Sequence, residues 1–224
     1  MQASVLYQPA YSLLRLIMDP GESLRAEAGA MVSMTPNIQL ETQAHGGVLE
    51  GLKRSVLGGE SFFLNTFTCV GGQGEVTLAP KLPGDIMGLP MSGAPVFVQS
   101  GSYLAATPGV EVTTSWAGAR GFFSGEGLFL LQCTGQGELF VCSYGAIHAV
   151  ELAAGQQYIV DTGHMVAFDA TVQYKVRPAG GWKQTLFSGE GLVCDFYGPG
   201  RLYIQSRSEQ SFLSWLIPKL PKHN

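Results

Sequence analysis

Apolar and polar residues alternate along this chain over short stretches that are separated by glycine, proline and aspartate. The stretches LFVCSY at 139–144 and VQYKV at 172–176 are typical. Alternation with a period of two, in segments rich in Val, Phe, Tyr, Leu and Thr, predicts β-strands. We therefore predict that the protein is all-β.

One phrase occurs three times, as GGESFFLNTFTCVGGQGEVTLA at 58–79, SGEGLFLLQCTGQGELFVCS at 124–143 and SGEGLVCDFYGPGRLYIQS at 188–206. A second phrase places two glycines eight residues apart, at Gly21 and Gly29, Gly93 and Gly101, and Gly155 and Gly163. The residues that follow also match, as AMVSMTPNIQL, SYLAATPGVEV and HMVAFDATVQY. Such self-similarity at a fixed spacing indicates a repeat architecture.

The repeat predicts three tandem short β-sandwich units with pseudo-threefold symmetry, whose stacked faces bury one another. We expect one compact domain over residues 1–206, with repeats at about 21–92, 93–154 and 155–206. The N-terminal segment 1–20 is expected to complete the third repeat, because SVLYQP occupies the place that ELFVCS has in the second. The phrases GQGE at 72–75 and 135–138, and GPGR at 198–201, predict tight turns between strands.

The C-terminal segment 207–224 carries the best helix signal of the chain. Ser206 and Glu209 have the spacing of a capping box, and Pro218 stops the helix. A helix this short must dock on something to be stable. Its apolar face is expected to dock on its own sandwich or on a neighbouring subunit, and a membrane surface is the alternative. The residues of this candidate docking face are Phe212, Trp215 and Leu216.

Composition changes this picture in one respect. Charged residues make up 13% of the chain, about half the share usual for soluble domains, and glycine occurs 30 times. A chain with so few charges hides apolar surface in an oligomer or presents uncharged polar groups. The net charge of −4 and the scattered Lys and Arg residues argue against nucleic-acid binding, which needs a concentrated cationic face.

The four cysteines lie in apolar stretches and form no CxxC pair. They are expected to be small buried hydrophobes of a reducing compartment. We see no signal peptide and no apolar run long enough to span a bilayer, so we expect a cytoplasmic protein.

The phrases GGESFFLNTF, GEVTLAP followed by PGDI, and SGEGLFL together resemble the TRAP-like family of unknown function. That family includes many bacterial proteins and the mitochondrial proteins named for altered inheritance of mitochondria. The resemblance covers roughly residues 3–215 and implies β-sandwich units similar to the subunit of the ring-forming, tryptophan-sensing RNA-binding attenuation protein. Three units in each of three chains, a homotrimer, would resemble a nine-unit ring. The tryptophan and RNA sites of that protein are an analogy at the level of the fold alone.

The sequence offers little chemistry. The four histidines show no HxH or HExxH spacing, and no GxSxG elbow, P-loop or dinucleotide motif is present. We therefore expect no enzyme activity, metal or cofactor. Three glutamates follow a glycine in the repeated turn, each with a basic residue six or seven positions earlier. Each carboxylate is expected to accept backbone N–H bonds of a neighbouring loop or to pair with its basic residue. The alternative is a ring of carboxylates that binds a cation or a polar ligand between units. These candidates are Glu60, Glu126, Glu190, Arg54, Arg120 and Lys183.

Three functional hypotheses remain open from the sequence. The first is a non-enzymatic oligomeric scaffold or interaction protein. The second is a small-ligand-binding protein with its site between adjacent β units. The third is a peripheral membrane-associated assembly protein that uses the C-terminal helix.

Overall fold

The computed structural model describes residues 1–44, 63–115, 129–180 and 191–221. The described part of the chain is predominantly β, which confirms the predicted secondary-structure class. Residues 1–78 contribute seven strands: β1 (Gln2–Leu6), β2 (Leu13–Met18), β3 (Ser23–Glu27), β4 (Met31–Met34), β5 (Ile38–Ala44), β6 (Phe63–Cys69) and β7 (Gly74–Leu78).

The middle of the chain contributes five more described strands, the last of them long. They are β8 (Ile86–Ser92), β9 (Val96–Gln99), β10 (Tyr103–Ala106), β11 (Val110–Ser115) and β12 (Leu130–Cys142).

The remaining described residues form six strands and a short helix. They are β13 (Ile147–Leu152), β14 (Gln157–Asp161), β15 (Met165–Asp169), β16 (Gln173–Pro178), β17 (Leu192–Tyr197), β18 (Gly200–Gln205) and α1 (Glu209–Leu216). Single 3-10 turns lie at Ser100–Ser102, Thr162–His164 and Ile217–Lys219.

The strands form a four-stranded sheet in the order β1-β2-β7-β4, a three-stranded sheet in the order β14-β17-β16, and an eleven-stranded sheet between them. The path of the large sheet is β13-β18-β15-β9-β12-β10-β3-β6-β5, with β8 and β11 also paired to β12. All named strand pairs are antiparallel. Strands β4 and β14 are each outermost in their sheet.

The core consists of three clusters that follow one another along the chain. The first packs Leu14 and Leu16 of β2 against Leu24 of β3 and Phe67 of β6, and it also takes Leu104 from β10. The second takes Val166 and Ala167 from β15, and the third is built around Phe168 and Phe196. Full burial of one such Leu or Phe side chain contributes roughly 1.5–3 kcal/mol. Strand β15 therefore contributes side chains to both the second and the third cluster.

One predicted turn is not a turn. The phrase GQGE at 135–138 lies inside the continuous strand β12, whose first half pairs with β11 and whose second half pairs with β8. Gly135 and Gly137 have φ values of +106° and +139°, so the strand bends sharply without ending. The corresponding phrases at 72–75 and 198–201 do lie between separate strands, as predicted.

The N-terminal segment pairs within the four-stranded sheet. Strand β1 pairs with β2, and β2 pairs with β7. Residues 1–20, which the sequence analysis joined to the third repeat, thus lie beside β7 in this structure.

The predicted C-terminal helix is present as α1, but its N-cap is Ser208 rather than Ser206. Ser208 Oγ accepts a hydrogen bond from the Ser211 amide at 3.4 Å. The hydroxyl of Ser206 instead accepts from the Ala146 amide at 2.9 Å. The Ser206 side chain therefore makes a tertiary hydrogen bond, although the local spacing predicted that it caps the helix.

Candidate functional site

The charged residues of the repeated turn fall outside the described part of the chain. This applies to all six candidates, Arg54, Glu60, Arg120, Glu126, Lys183 and Glu190. Their proposed role in a ligand or structural turn stays a prediction.

Of the two described histidines, one makes a hydrogen-bond contact within the fold. His164 lies in the 3-10 turn before β15, where its Nδ1 is 2.7 Å from the Gln205 carbonyl oxygen. His148 lies on β13, and His45 and His223 are outside the described ranges. Among the described residues, no group of three or more His, Cys, Asp or Glu side chains could hold a metal ion.

All four cysteines are buried free thiols. Burial raises the pKa of Cys133, of Cys142 and of Cys194 to about 12 in each case. A thiol with such a pKa is almost entirely protonated near neutrality and is a poor nucleophile. The cysteines therefore act as small core side chains.

One ion pair is shielded on the three-stranded sheet. Arg177 on β16 donates from Nε to Asp195 Oδ2 at 2.7 Å and from Nη2 to Asp195 Oδ1 at 3.0 Å. The Asp195 carboxylate on β17 is nearly inaccessible to solvent, and these hydrogen bonds hold its pKa below the usual value. A bidentate pair of this kind fixes the spacing of two strands.

Strand β4 presents an open edge with unusual exposure. Its four residues, Met31, Val32, Ser33 and Met34, are all exposed. The sequence analysis aligned this stretch with β10 and β15, whose residues are buried along almost their whole length. An exposed apolar edge strand is a template for pairing with another strand.

Strand β14 forms the second open edge. It pairs with β17 on one side, and within the described residues no strand lies on its other side. Ile159, in the middle of β14, is 53% exposed. The described sheets also end at β1, β16, β13 and β5. Strands β4 and β14 belong to different sheets, so these two edges are different pairing surfaces.

Sequence reasoning missed both edges, although one signal could have identified β4. Where β10 and β15 carry Ala105 and Ala167, the aligned position of β4 is Ser33. Its hydroxyl is 2.6 Å from that of Thr77 on β7. Ser33 is exposed while Thr77 is buried, so the polar residue at a position that is apolar in the aligned strands marks the exposed strand.

The helix α1 presents the three predicted docking residues differently. Phe212 packs edge-on against Tyr144, with ring centroids 6.0 Å apart, and Leu216 is half-buried. Trp215 is 59% exposed, and its ring centroid lies 5.4 Å from Nζ of Lys219. Along the described segments, no helix has the length and apolar character needed to cross a bilayer.

Comparisons with known proteins identify the family of this chain. Residues 3–207 match the family model described as mitochondrial biogenesis AIM24. An uncharacterized protein of Streptococcus pyogenes serotype M6 is 31% identical over 219 residues, which is 94% of this chain and 88% of that protein. The crystal structure of protein SPYM3_0169 from Streptococcus pyogenes superposes with a TM-score of 0.82 at 29% identity, covering 98% of this chain and 99% of that one. This chain therefore belongs to the AIM24 family.

Proposed function

We propose that this protein is a non-enzymatic scaffold that assembles with copies of itself through two of its outermost strands, β4 and β14. The proposal begins from a chain built of three copies of one β module. Each copy after the first joins the preceding one by a strand pair. A third pair of the same kind then joins one chain to the next.

Three sets of pairings support the modules. Strand β7 lies between β2 and β4, the second half of β12 between β8 and β10, and β18 between β13 and β15. Even an irregularity recurs. The register shifts between Met31 and Ser33 in β4, between Tyr103 and Ala105 in β10, and between Met165 and Ala167 in β15. β-Bulges are specific features of a fold, so their recurrence favours a common module.

The junctions between modules use one register. Strand β10 pairs with β3 of the preceding module through Ala105 with Ala26 and Ala106 with Arg25. Strand β15 pairs with β9 in the same way, through Ala167 with Val98 and Phe168 with Phe97. In each case the residues that follow the recurrent bulge, within the same strand, join the preceding module.

Applied to the open edges, that register defines a contact between two chains. Strand β4 of one copy lies against β14 of another, with Ser33 opposite Val160 and Met34 opposite Ile159. Both pairs follow directly from the aligned positions in the two internal junctions. An antiparallel pairing of this kind satisfies the backbone groups on both exposed edges.

The exposure of one residue carries the proposal. Val32 is 56% exposed, whereas the residues at its position in the other modules, Leu104 and Val166, are both 0% exposed. Each of those two side chains enters the core cluster of the preceding module. Val32 differs in that no module of its own chain precedes it. The third module of a second chain, on its β14 side, can cover Val32 in the same way.

Two different edges joined head to tail produce either a closed ring or an open filament. The sequence resemblance to a nine-unit ring favours closure at three copies. The four buried free thiols suit a reducing compartment, and we therefore assign the assembly to the cytoplasm.

The mass of the native protein tests this proposal. One chain has a mass of 23.9 kDa, so three copies have about 72 kDa by native mass spectrometry or light scattering. A mass of one chain at micromolar concentration would refute the proposal. An assembly that grows without limit would contradict closure at three copies but not the pairing of the edges.

A further inference from the structure

The helix α1 leaves much of its apolar surface uncovered in a single chain. Phe212 and Leu216 face the body of the protein, whereas four neighbouring apolar side chains are exposed. These are Leu213, Trp215, Ile217 and Leu220. Such a segment has a docking partner or it remains marginal, because a helix of about two turns is unstable on its own.

The helix begins at the end of the open edge β14. Gln205, just before the helix, donates from Nε2 to the Gly163 carbonyl at 2.9 Å, and its own carbonyl contacts His164. A Cβ added to Gly163 would lie 2.7 Å from the Ser208 hydroxyl. Gly163 is two residues past the last residue of β14. The base of the helix is therefore beside the proposed contact between chains.

A series of backbone contacts shows what would lie beside the helix. The Ser12 amide donates to the Gly84 carbonyl at 2.9 Å, and the Asp85 amide donates to the Gly145 carbonyl at 2.9 Å. Both bonds join the start of one module to the start of the next. The Ala146 amide, which comes next in the series, donates to Ser206 Oγ. Residues 206–208 thus end this series, and the start of a following module would lie next to them.

In a head-to-tail assembly, the following module is the first module of the next copy, which starts with residues 7–12. Within that segment Tyr7 and Tyr11 are 73% and 74% exposed. The segment is nevertheless tied down: Gln8 donates to Asp85 Oδ1 at 3.1 Å and to the Ile86 carbonyl at 2.9 Å. Ser12 Oγ also donates to Asp85 Oδ1, at 3.0 Å. Two exposed tyrosines on a fixed loop form a preformed apolar contact surface.

We infer that α1 of one copy docks against the tyrosine loop, residues 7–11, of the next copy. This inference rests on the proposed head-to-tail assembly and assigns the helix a partner within it. The uncovered helix side chains, with Trp215 as the aromatic anchor, cover Tyr7 and Tyr11 across the contact between chains. Trp and Tyr side chains carry much of the binding energy in protein interfaces.

Photo-crosslinking tests the partner directly. Trp215 is replaced by p-benzoylphenylalanine, and the variant is assembled from equal amounts of unlabelled and nitrogen-15-labelled chains. After irradiation and trypsin digestion, the expected product joins the helix to the peptide of residues 1–15, with mixed isotopic labels that identify two different chains. Gln210, an exposed polar residue on the other side of the helix, is the matched control position and is expected to give at least about tenfold less of this product.

Three results overturn the inference. In the first, the assembly has the expected mass but Trp215 crosslinks only within its own chain. The helix then docks on the body of its own chain, and the scaffold proposal stands. In the second, the assembly forms and Trp215 variants lose binding to vesicles of anionic phospholipid, which assigns the helix to a lipid surface. In the third, no assembly forms, and the scaffold proposal fails as well.

A second variant tests the inference without a crosslinker. Replacement of Trp215 by Ser is expected to raise the concentration at which half the assembly dissociates by about tenfold, with an unchanged protomer melting temperature. The Gln210→Ser variant is expected to dissociate like the natural protein. Equal dissociation of the Trp215→Ser and natural proteins overturns the inference.

Discussion

Phe97 on β9 and Phe168 on β15 lie directly opposite each other, with ring centroids 5.3 Å apart. This pair joins β9 to β15, and Phe97 packs against the third core cluster, to which Phe168 belongs. Cross-strand aromatic pairs stabilise a sheet by roughly 0.2–1 kcal/mol relative to alanine. At the open edges, Met34 and Ile159 occupy the same two positions. The internal junction therefore provides a template for the contact between copies.

A charge on the β4 edge is expected to block assembly. Val32→Lys places an ammonium in a position that is fully buried in the other two modules, and burying an unpaired charge is strongly unfavourable. The concentration for half-dissociation is expected to rise at least about tenfold, as measured by light scattering across a dilution series. Because Val32 is exposed in the single chain, the protomer melting temperature is expected to stay unchanged.

Val70→Lys is the matched control for this substitution. Val70 is 52% exposed and lies between β6 and β7, so it belongs to neither β4 nor β14. This variant is expected to assemble normally. Equal effects of the two lysines on dissociation would contradict the assignment of β4 as an interface.

The bend in β12 makes a prediction about stability. Gly135 and Gly93 have nearly the same φ, +106° and +104°, but their surroundings differ. A Cβ on Gly135 would collide with the Gly109 carbonyl oxygen, whereas a Cβ on Gly93 meets open space. Gly93→Ala is expected to cost roughly 1–2 kcal/mol of unfolding free energy from the backbone conformation alone. Gly135→Ala is expected to cost roughly 2–5 kcal/mol, because the collision is added.

Chemical denaturation of the two alanine variants measures this difference. Since φ is matched, the gap between them isolates the close approach of the Gly109 carbonyl. Equal destabilisation by the two substitutions would mean that β12 does not pass so close to the turn after β10.

The Arg177–Asp195 pair is expected to contribute to stability in a pH-dependent way. The pKa of Asp195 is lowered in the folded chain, chiefly by the hydrogen bonds from Arg177. Its contribution is therefore fully present above about pH 4, the ordinary range of an aspartate, and is lost as the pH falls through the folded-state pKa. Asp195→Asn is expected to lower the melting temperature at pH 7, and the difference from the natural protein is expected to shrink at acidic pH.

The exposed pair of Arg201 with Asp169, at 3.2 Å, provides the control. Pairs with such solvent access contribute little, so Asp169→Asn is expected to melt close to the natural protein at both pH values. A melting difference for Asp195→Asn that does not change with pH would show that the carboxylate charge is not what stabilises these strands.

Local patterns predicted the strands, the helix and two of three glycine turns, because alternation and turn chemistry act over a few residues. The same locality explains two errors. GQGE at 135–138 bends a strand without ending it, because both halves of β12 find partners from distant strands. Ser206 does not cap the helix, because Ala146, sixty residues earlier, takes its hydroxyl.

The candidate site was less predictable than the fold. Edge exposure depends on which strand lacks a neighbour, and that is a property of the whole topology rather than of any segment. Met31 and Val32 resemble Met165 and Val166 in sequence, yet the first two are exposed and the second two are buried. The repeated glutamates and their basic neighbours, which sequence reasoning favoured, lie outside the described residues and stay a prediction.

The central claim is that β4 of one copy pairs with β14 of the next, and a disulfide between opposite residues tests it most directly. The chain carrying both Met34→Cys and Ile159→Cys is oxidised mildly and analysed on a non-reducing gel. Directly opposed residues of an antiparallel pair lie within the Cα separation that a disulfide allows. The account predicts covalent products up to three chains that revert to one chain on reduction. It also predicts a two-chain product when the two single variants are mixed, and none from either alone. A double variant that stays a single chain, or a single variant that links to itself, would contradict the account.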